Sequence, residues 1–278
     1  MTILARALAA VTLAALPGGP AAADALDAIA DRGEIRLAVR SDAAPLSYEE
    51  DGAHRGYAVD VCRAVAEHLA DAFGRESLLH VFVPVDAETR FDAVAEGRAD
   101  LLCGAASVTL ERRERVDFSI PIFVDGAAVM TRQGGPAEFR ALDGRGIGVR
   151  AGTTTARSLT ATLERFGMTA DVTEVADHAA GLAGVQAGAF DAYFADQSIL
   201  LWLSIGAEDV QVSGNTLSIE PQALAMARGE SGLRLAVDRA LSRMYRSGEM
   251  ADIFARNFAP AEPGDAMRAL ALTAPIPE

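Results

Sequence analysis

After its first two dozen residues the chain alternates strand-like and helix-like segments, and that alternation constrains the fold more than any other feature. Residues 35–39 form a short apolar strand behind a break at Gly33. Val61, Val65, Leu69 and Phe73 then recur every four residues, one face of a helix ended by Gly74. Residues 81–83 are strand-like, 91–96 helical and 100–103 strand-like again. After the turn-rich Gln133-Gly134-Gly135-Pro136 the rhythm restarts. A strand at 147–149 leads to a helix striped by Leu159, Leu163 and Phe166, then to strands at 172–175 and 191–195 flanking a helix at 177–187. A strand at 223–227 leads back, and two helices follow, marked by Leu233, Val237, Leu241 and Met244 and by Met250, Ile253 and Phe254. This βαβ order predicts mostly parallel sheets covered by helices. Two rounds of it predict an α/β chain of two lobes.

The 278 residues suit one or two domains, and a hydrophobic half excludes a disordered chain. A formal charge of -14 argues against nucleic acid or an anionic membrane as partner. All 25 basic residues are Arg, which excludes Schiff-base chemistry and a lysine-based phosphate loop. Residues 1–23 read as a secretory signal peptide: Arg6, an apolar run over 7–16, a Pro17-Gly18-Gly19-Pro20 break and Ala21-Ala22-Ala23 before Asp24. The run is too short for a hydrocarbon core of about 30 Å, so a periplasmic protein is expected. In an exported chain Cys62 and Cys103 are either a bridge or two small buried side chains. The bridge is the expectation, worth roughly 4 kcal/mol in the chain-entropy model. Two Cys and four scattered His show no metal-ligand spacing, so neither a metal nor another cofactor is expected.

Ligands of open α/β sheets bind outside the carboxyl ends of the strands. The polar residues there are Arg40-Ser41-Asp42, Ser107, Gly152-Thr153-Thr154 and Asp196. Arg112 follows Ser107 by five residues, and a guanidinium fork beside a hydroxyl suits a carboxylate. Asp196 ends an apolar strand, where a ligand ammonium would pair it. Together they would capture a zwitterion, although spacing alone equally fits Arg112 as a solvated charge at a helix start.

Six stretches, in order, carry a resemblance. They are Gly56-Tyr57-Ala58-Val59-Asp60, Ser107-Val108-Thr109-Leu110-Glu111-Arg112, Val116-Asp117-Phe118-Ser119-Ile120-Pro121, Arg150-Ala151-Gly152-Thr153-Thr154, the strand ending in Asp196, and Ser247-Gly248-Glu249 before Ile253-Phe254. Over about residues 24–258 the chain resembles the family 3 extracellular solute-binding proteins, amino-acid receptors of bacterial ABC importers. The resemblance implies a type II periplasmic-binding-protein fold with a ligand cleft between two lobes, closed by a hinge. Lobe one would be 24–131 plus 226–278, and lobe two 132–225, with crossovers near Thr131 and Met226. Arg112, Ser107 and Thr154 would hold the α-carboxylate, and Asp196 the α-ammonium. The implied partners are a small-molecule amino acid and, transiently, a membrane ABC permease, with the receptor a monomer.

Within the family, Val39-Arg40 before Pro45-Leu46-Ser47-Tyr48, Thr89-Arg90 and Asp177-His178 look most like the glutamate/aspartate receptors. That implies a side-chain carboxylate held by Arg40, Arg90 and His178, while a neutral side chain would leave those donors poorly paired. Ala87 and Ala105 stand where those receptors carry Ser, at about 0.5–1.5 kcal/mol per absent hydrogen bond. No aromatic residue falls within Ser41-Asp42-Ala43-Ala44, so Tyr48 and Tyr57 are the nearest rings. The same fold also hosts cyclohexadienyl dehydratases, for which Glu88 or His178 would be the acid/base candidate. A sensory module presenting its ligand to a membrane receptor is a third class. A binding protein, not an enzyme, is the expectation.

Overall fold

The computed structural model describes residues 24–136 and 138–277, so the expected signal peptide at 1–23 lies outside the described residues. The first part runs α1 (Ala25–Arg32), β1 (Glu34–Val39), β2 (Asp42–Ala43), β3 (Ser47–Glu50), β4 (Ala53–Arg55), α2 (Tyr57–Ala72), β5 (Leu79–Pro84), α3 (Arg90–Ala95), β6 (Leu101–Cys103), α4 (Leu110–Arg113) and β7 (Val116–Asp125). A middle part follows with β8 (Ala127–Arg132), β9 (Arg145–Arg150), α5 (Thr154–Phe166), β10 (Ala170–Val175), α6 (His178–Ala187), β11 (Ala192–Asp196), α7 (Gln197–Leu203) and β12 (Val210–Val212). The chain then returns through β13 (Glu220–Ala227), α8 (Ser231–Ser247), α9 (Glu249–Phe258) and α10 (Asp265–Thr273).

Two five-stranded sheets result, ordered β5-β1-β6-β13-β7 and β10-β9-β11-β8-β12, with β2, β3 and β4 as a small antiparallel sheet beside the first. Each large sheet is mixed rather than mostly parallel. β1 pairs in parallel with β5 and β6, and β9 with β10 and β11. The pairs made by β13 and β8 are antiparallel. Helical crossovers enforce parallel neighbours, but β8 and β13 enter their sheets from the other lobe and are free of that constraint.

The exchange between sheets also lies elsewhere than Thr131 and Met226. It occurs at Gly126, between β7 and β8, and again between β12 and β13. The two passages touch each other. A Cβ on Gly126 would collide with the Ser218 carbonyl oxygen and lie 2.8 Å from Thr216 Cβ. Ala127 N donates to Ser218 Oγ at 2.9 Å, and Leu217 N to the Ala127 carbonyl at 2.7 Å. A glycine is therefore required where the chain leaves the first lobe. The turn at 133–136 instead lies inside the second lobe.

The first lobe has the larger core. The buried stripe of α2, Val61, Val65 and Leu69, packs with Leu37 and Val39 of β1 and with Leu233, Val237 and Leu241 of α8. A disulfide joins Cys62 of α2 to Cys103 of β6 with Cα atoms 6.0 Å apart, so it ties helix to sheet inside that core. The tail after α9 is docked on the first lobe. Val124 N donates to Met267 Sδ at 3.2 Å, and Ile276 N to Ser242 Oγ at 3.0 Å, with Leu270 buried. Its apolar face suffices to hold it against β7. No helix among the described residues is long and apolar enough to cross a membrane.

Candidate functional site

Both lobes turn their chemistry toward each other at strand ends and helix starts. In the first lobe Arg40 follows β1, Arg90 opens α3, and Arg112 sits in α4, whose cap Thr109 accepts from the Arg112 amide at 3.1 Å. In the second, Thr153 caps α5 by accepting from Ala156 N at 3.1 Å, and Asp177 caps α6 by accepting from Ala180 N at 2.7 Å. Thr154 and His178 are thereby the first residues of their helices. Asp196 closes β11 and precedes α7.

Arg40, Arg90, Ser107, Thr154, His178 and Asp196 line one small cavity between the lobes. Arg112 stands behind Ser107 instead, its Nη1 donating to the Ser107 carbonyl at 2.7 Å. It is buried, which removes the solvated-charge alternative. Thr153, singled out at a strand end, also lines the cavity, and sequence reasoning missed Thr155 and Ile199, which complete the lining with Ala105. It also missed Phe91, whose ring carries the Arg90 and Arg112 guanidinium groups at 4.8 and 4.5 Å. The adjacent Arg90-Phe91 pair was the available signal, since Arg stacks well on aromatic faces.

The cleft is closed. Arg90 Nη1 donates to the Gly152 carbonyl at 3.2 Å, and Ser107 Oγ lies 3.3 Å from Thr154 Oγ1. Gly152 has a φ of 70°, and a Cβ there would meet Glu88 Cγ at 2.7 Å, so the turn before α5 tolerates no side chain. Arg150 Nε reaches Asp42 Oδ2 at 3.4 Å, and the Tyr48 ring lies 5.5 Å from Trp202 of α7. Tyr48 thus meets the other lobe, whereas Tyr57 belongs to the core and donates its hydroxyl to the Ile122 carbonyl at 2.8 Å.

Two donors remain unmatched inside. Arg90 and His178 are 2% and 3% exposed, yet Arg90 Nε and His178 Nε2 have no hydrogen-bond partner. His178 is anchored on its other side, with Nδ1 2.8 Å from the Tyr193 hydroxyl, and Nε2 is the donor nitrogen in the tautomer whose Nδ1 accepts from that hydroxyl. Arg40 is already engaged. Its Nε donates to Asp42 Oδ1 at 2.8 Å, and Nη2 lies 2.7 Å from the same oxygen as an ion-pair contact without hydrogen-bond alignment.

The electrostatics follow from burial. Desolvation and then Arg40 push His178 down to about 3, so its imidazole is neutral at ordinary pH. Burial and the neighbouring Arg40 and Arg112 guanidinium groups hold Arg90 well below its ordinary value. Arg112 is lowered to about 10, chiefly by burial. Opposite them, burial and then Asp125 and Glu220 raise the Asp196 carboxyl far above the usual range. The Asp196 carboxylate accepts only a 3.3 Å bond from Gln222 Nε2 among the described residues. Cations gather on one wall, and on the other stands a buried carboxyl group whose ionised form a cation would stabilise, an arrangement that complements a zwitterion with a further anionic group. Among the described residues no group of three or more His, Cys, Asp and Glu is placed to hold a metal ion.

Comparison with known proteins agrees with this architecture. The family model described as bacterial extracellular solute-binding proteins, family 3, matches residues 35–260. An L-glutamate/L-aspartate-binding protein of Pseudomonas aeruginosa is 28% identical over 268 residues, covering 93% of this chain and 89% of its own. A cyclohexadienyl dehydratase of the same species is 33% identical over 141 residues, covering 50% of each chain. Among solved structures, a solute receptor for L-cysteine from Neisseria gonorrhoeae superposes with a TM-score of 0.76 at 22% identity, covering 86% of this chain and 97% of its own, which shows the shared fold.

Proposed function

The chain belongs to the bacterial extracellular solute-binding proteins, family 3, and from that premise we propose that it is a periplasmic receptor delivering an acidic amino acid, glutamate or aspartate, to an ABC permease. The observation that carries the acidic choice is the pair of buried, unpartnered donors, Arg90 Nε and His178 Nε2, in one cavity with Asp196. A buried donor without an acceptor costs about 1–3 kcal/mol, more when charged, and a side-chain carboxylate relieves both at once. The α-carboxylate goes to Ser107, Thr154 and Arg112, the α-ammonium to Asp196. Ligand enters the open cleft, binds the cationic wall, and the second lobe closes on it. The receptor acts as a monomer, not as an enzyme, and docks on its permease when closed.

The glutamate/aspartate-binding relative supports the same ligand class. The dehydratase relative favours a second reading, an enzyme on the same fold. Of its two acid/base candidates, Glu88 is exposed and lines a separate hollow with Asp86 and Glu174, which leaves His178 as the one that lines the cavity. Thermal unfolding of refolded, ligand-stripped protein with each of the twenty amino acids and with cyclohexadienyl acids tests both. At a hundredfold excess over its dissociation constant a ligand stabilises by about 2.7 kcal/mol. A shift confined to glutamate and aspartate is expected. A shift with neutral or basic amino acids alone overturns the acidic pocket, and one with cyclohexadienyl acids alone points to the enzyme.

A further inference from the structure

Asp42 is a carboxylate that stands beside the side-chain pocket, paired with Arg40, which lines it. It lies in β2, two residues after Arg40, and engages Arg40 through Oδ1 at 2.7–2.8 Å. Its Oδ2 lies 3.4 Å from Nε of Arg150, across the cleft in the second lobe. Arg40 and Arg150 are buried while the Asp42 side chain is 21% exposed, so the bridge is partly shielded from bulk water and its charges act at close range. Burial opposes ionisation of Asp42, but Arg40, His178 and Arg150 outweigh it and hold the carboxyl below its usual range. Of the three donors that would face a ligand's second carboxylate, Arg40 is thus already neutralised, while Arg90 and His178 are not.

We propose that Asp42 is a specificity-determining residue, a resident carboxylate that competes with the ligand's side-chain carboxylate for Arg40. The inference rests on the acidic-amino-acid reading above and deepens it. An acidic side chain meets attraction from Arg90 and His178 and repulsion from Asp42, whereas an amide of the same shape is nearly indifferent to that charge. Asp42 therefore narrows the preference for glutamate over glutamine, and Arg150 limits the narrowing by compensating Asp42 from the opposite lobe.

Opposite substitutions give opposite signs. Asp42→Asn keeps the shape and removes the charge. The glutamate-to-glutamine affinity ratio, read by isothermal titration of ligand-stripped protein, rises tenfold or more. Arg150→Met leaves Asp42 less compensated, and the ratio falls threefold or more. A brace that merely held the cleft shut would lower both affinities together in both variants. An unchanged ratio, or parallel loss of both ligands, overturns the proposal. Should Asp42→Asn fail to fold, Arg150→Met and Asp42→Ser carry the same contrast. If the unsubstituted protein binds neither ligand, the acidic receptor reading falls and this inference with it. Binding by the unsubstituted protein with an unmoved ratio overturns this inference alone.

Discussion

The two walls of the cleft are built from different chemistry. The first lobe presents guanidinium groups: Arg40 after β1, Arg90 at the start of α3 and Arg112 in α4, the latter two seated on Phe91. Behind them lie the larger core and the Cys62–Cys103 disulfide. The second lobe presents hydroxyls, a neutral imidazole and a carboxylate at the starts of α5, α6 and α7, over two smaller cores with no disulfide among its described residues. Neither wall alone satisfies a zwitterion. On the proposed reading one would neutralise its carboxylates and the other its ammonium, so recognition would be complete only on closure.

The comparison can be broken from either side. The largest effect belongs to the cationic wall. Arg112→Ala removes the partner proposed for the α-carboxylate and weakens every amino acid by about 3–5 kcal/mol, beyond a hundredfold. Retained affinity in titration calorimetry would dissolve the site assignment. Next comes the staple. Replacing Cys62 and Cys103 together by Ser lowers unfolding stability in urea by about 2–4 kcal/mol. Ligand affinity measured at low temperature stays within threefold, because the bridge sits behind the wall rather than in it. A parallel collapse of affinity would show that wall and core are one unit.

Arg90→Met is smaller and more selective. It costs glutamate or aspartate about 1.5–3 kcal/mol, the worth of a hydrogen bond to a charged group, and leaves glutamine and asparagine nearly unchanged. Equal losses would remove Arg90 from the side-chain pocket. The smallest effect comes from the second wall. His178 titrates near 3 when folded against 6.5 when unfolded, so between those values only the unfolded chain takes up the proton. Stability therefore falls as pH drops through this window, by about 0.7 kcal/mol between pH 7 and pH 6. His178→Asn flattens that slope in urea unfolding at stepped pH, by about half a proton between pH 7 and pH 6 and by close to one proton below about pH 5.5.

Strand and helix rhythm made both lobes legible, because α2, α5 and α8 bury stripes that recur with the helical period. What rhythm could not carry were contacts between lobes. Nothing near Gly126 marks it as the exchange point, since its constraint is the distant Ser218 carbonyl. The site divided in the same way. Arg40, Arg90, Ser107, Thr154, His178 and Asp196 were found because strand ends and helix starts can be located from sequence and the motifs are local. Asp42 and Arg150 stood in those stretches too, but their pairing was not legible, because it joins residues separated by 108 positions. Ala105 does line the cavity as expected, without a hydroxyl to offer.

The central claim is that the unmatched donors on both walls are completed by one ligand group. The most direct measurement is a crystal structure of the stripped protein soaked or grown with glutamate or aspartate. The account predicts the side-chain carboxylate within hydrogen-bond distance of both Arg90 Nε and His178 Nε2, and the ammonium on Asp196. A ligand that turns its aliphatic chain to those two atoms, or leaves them unmatched, would contradict it.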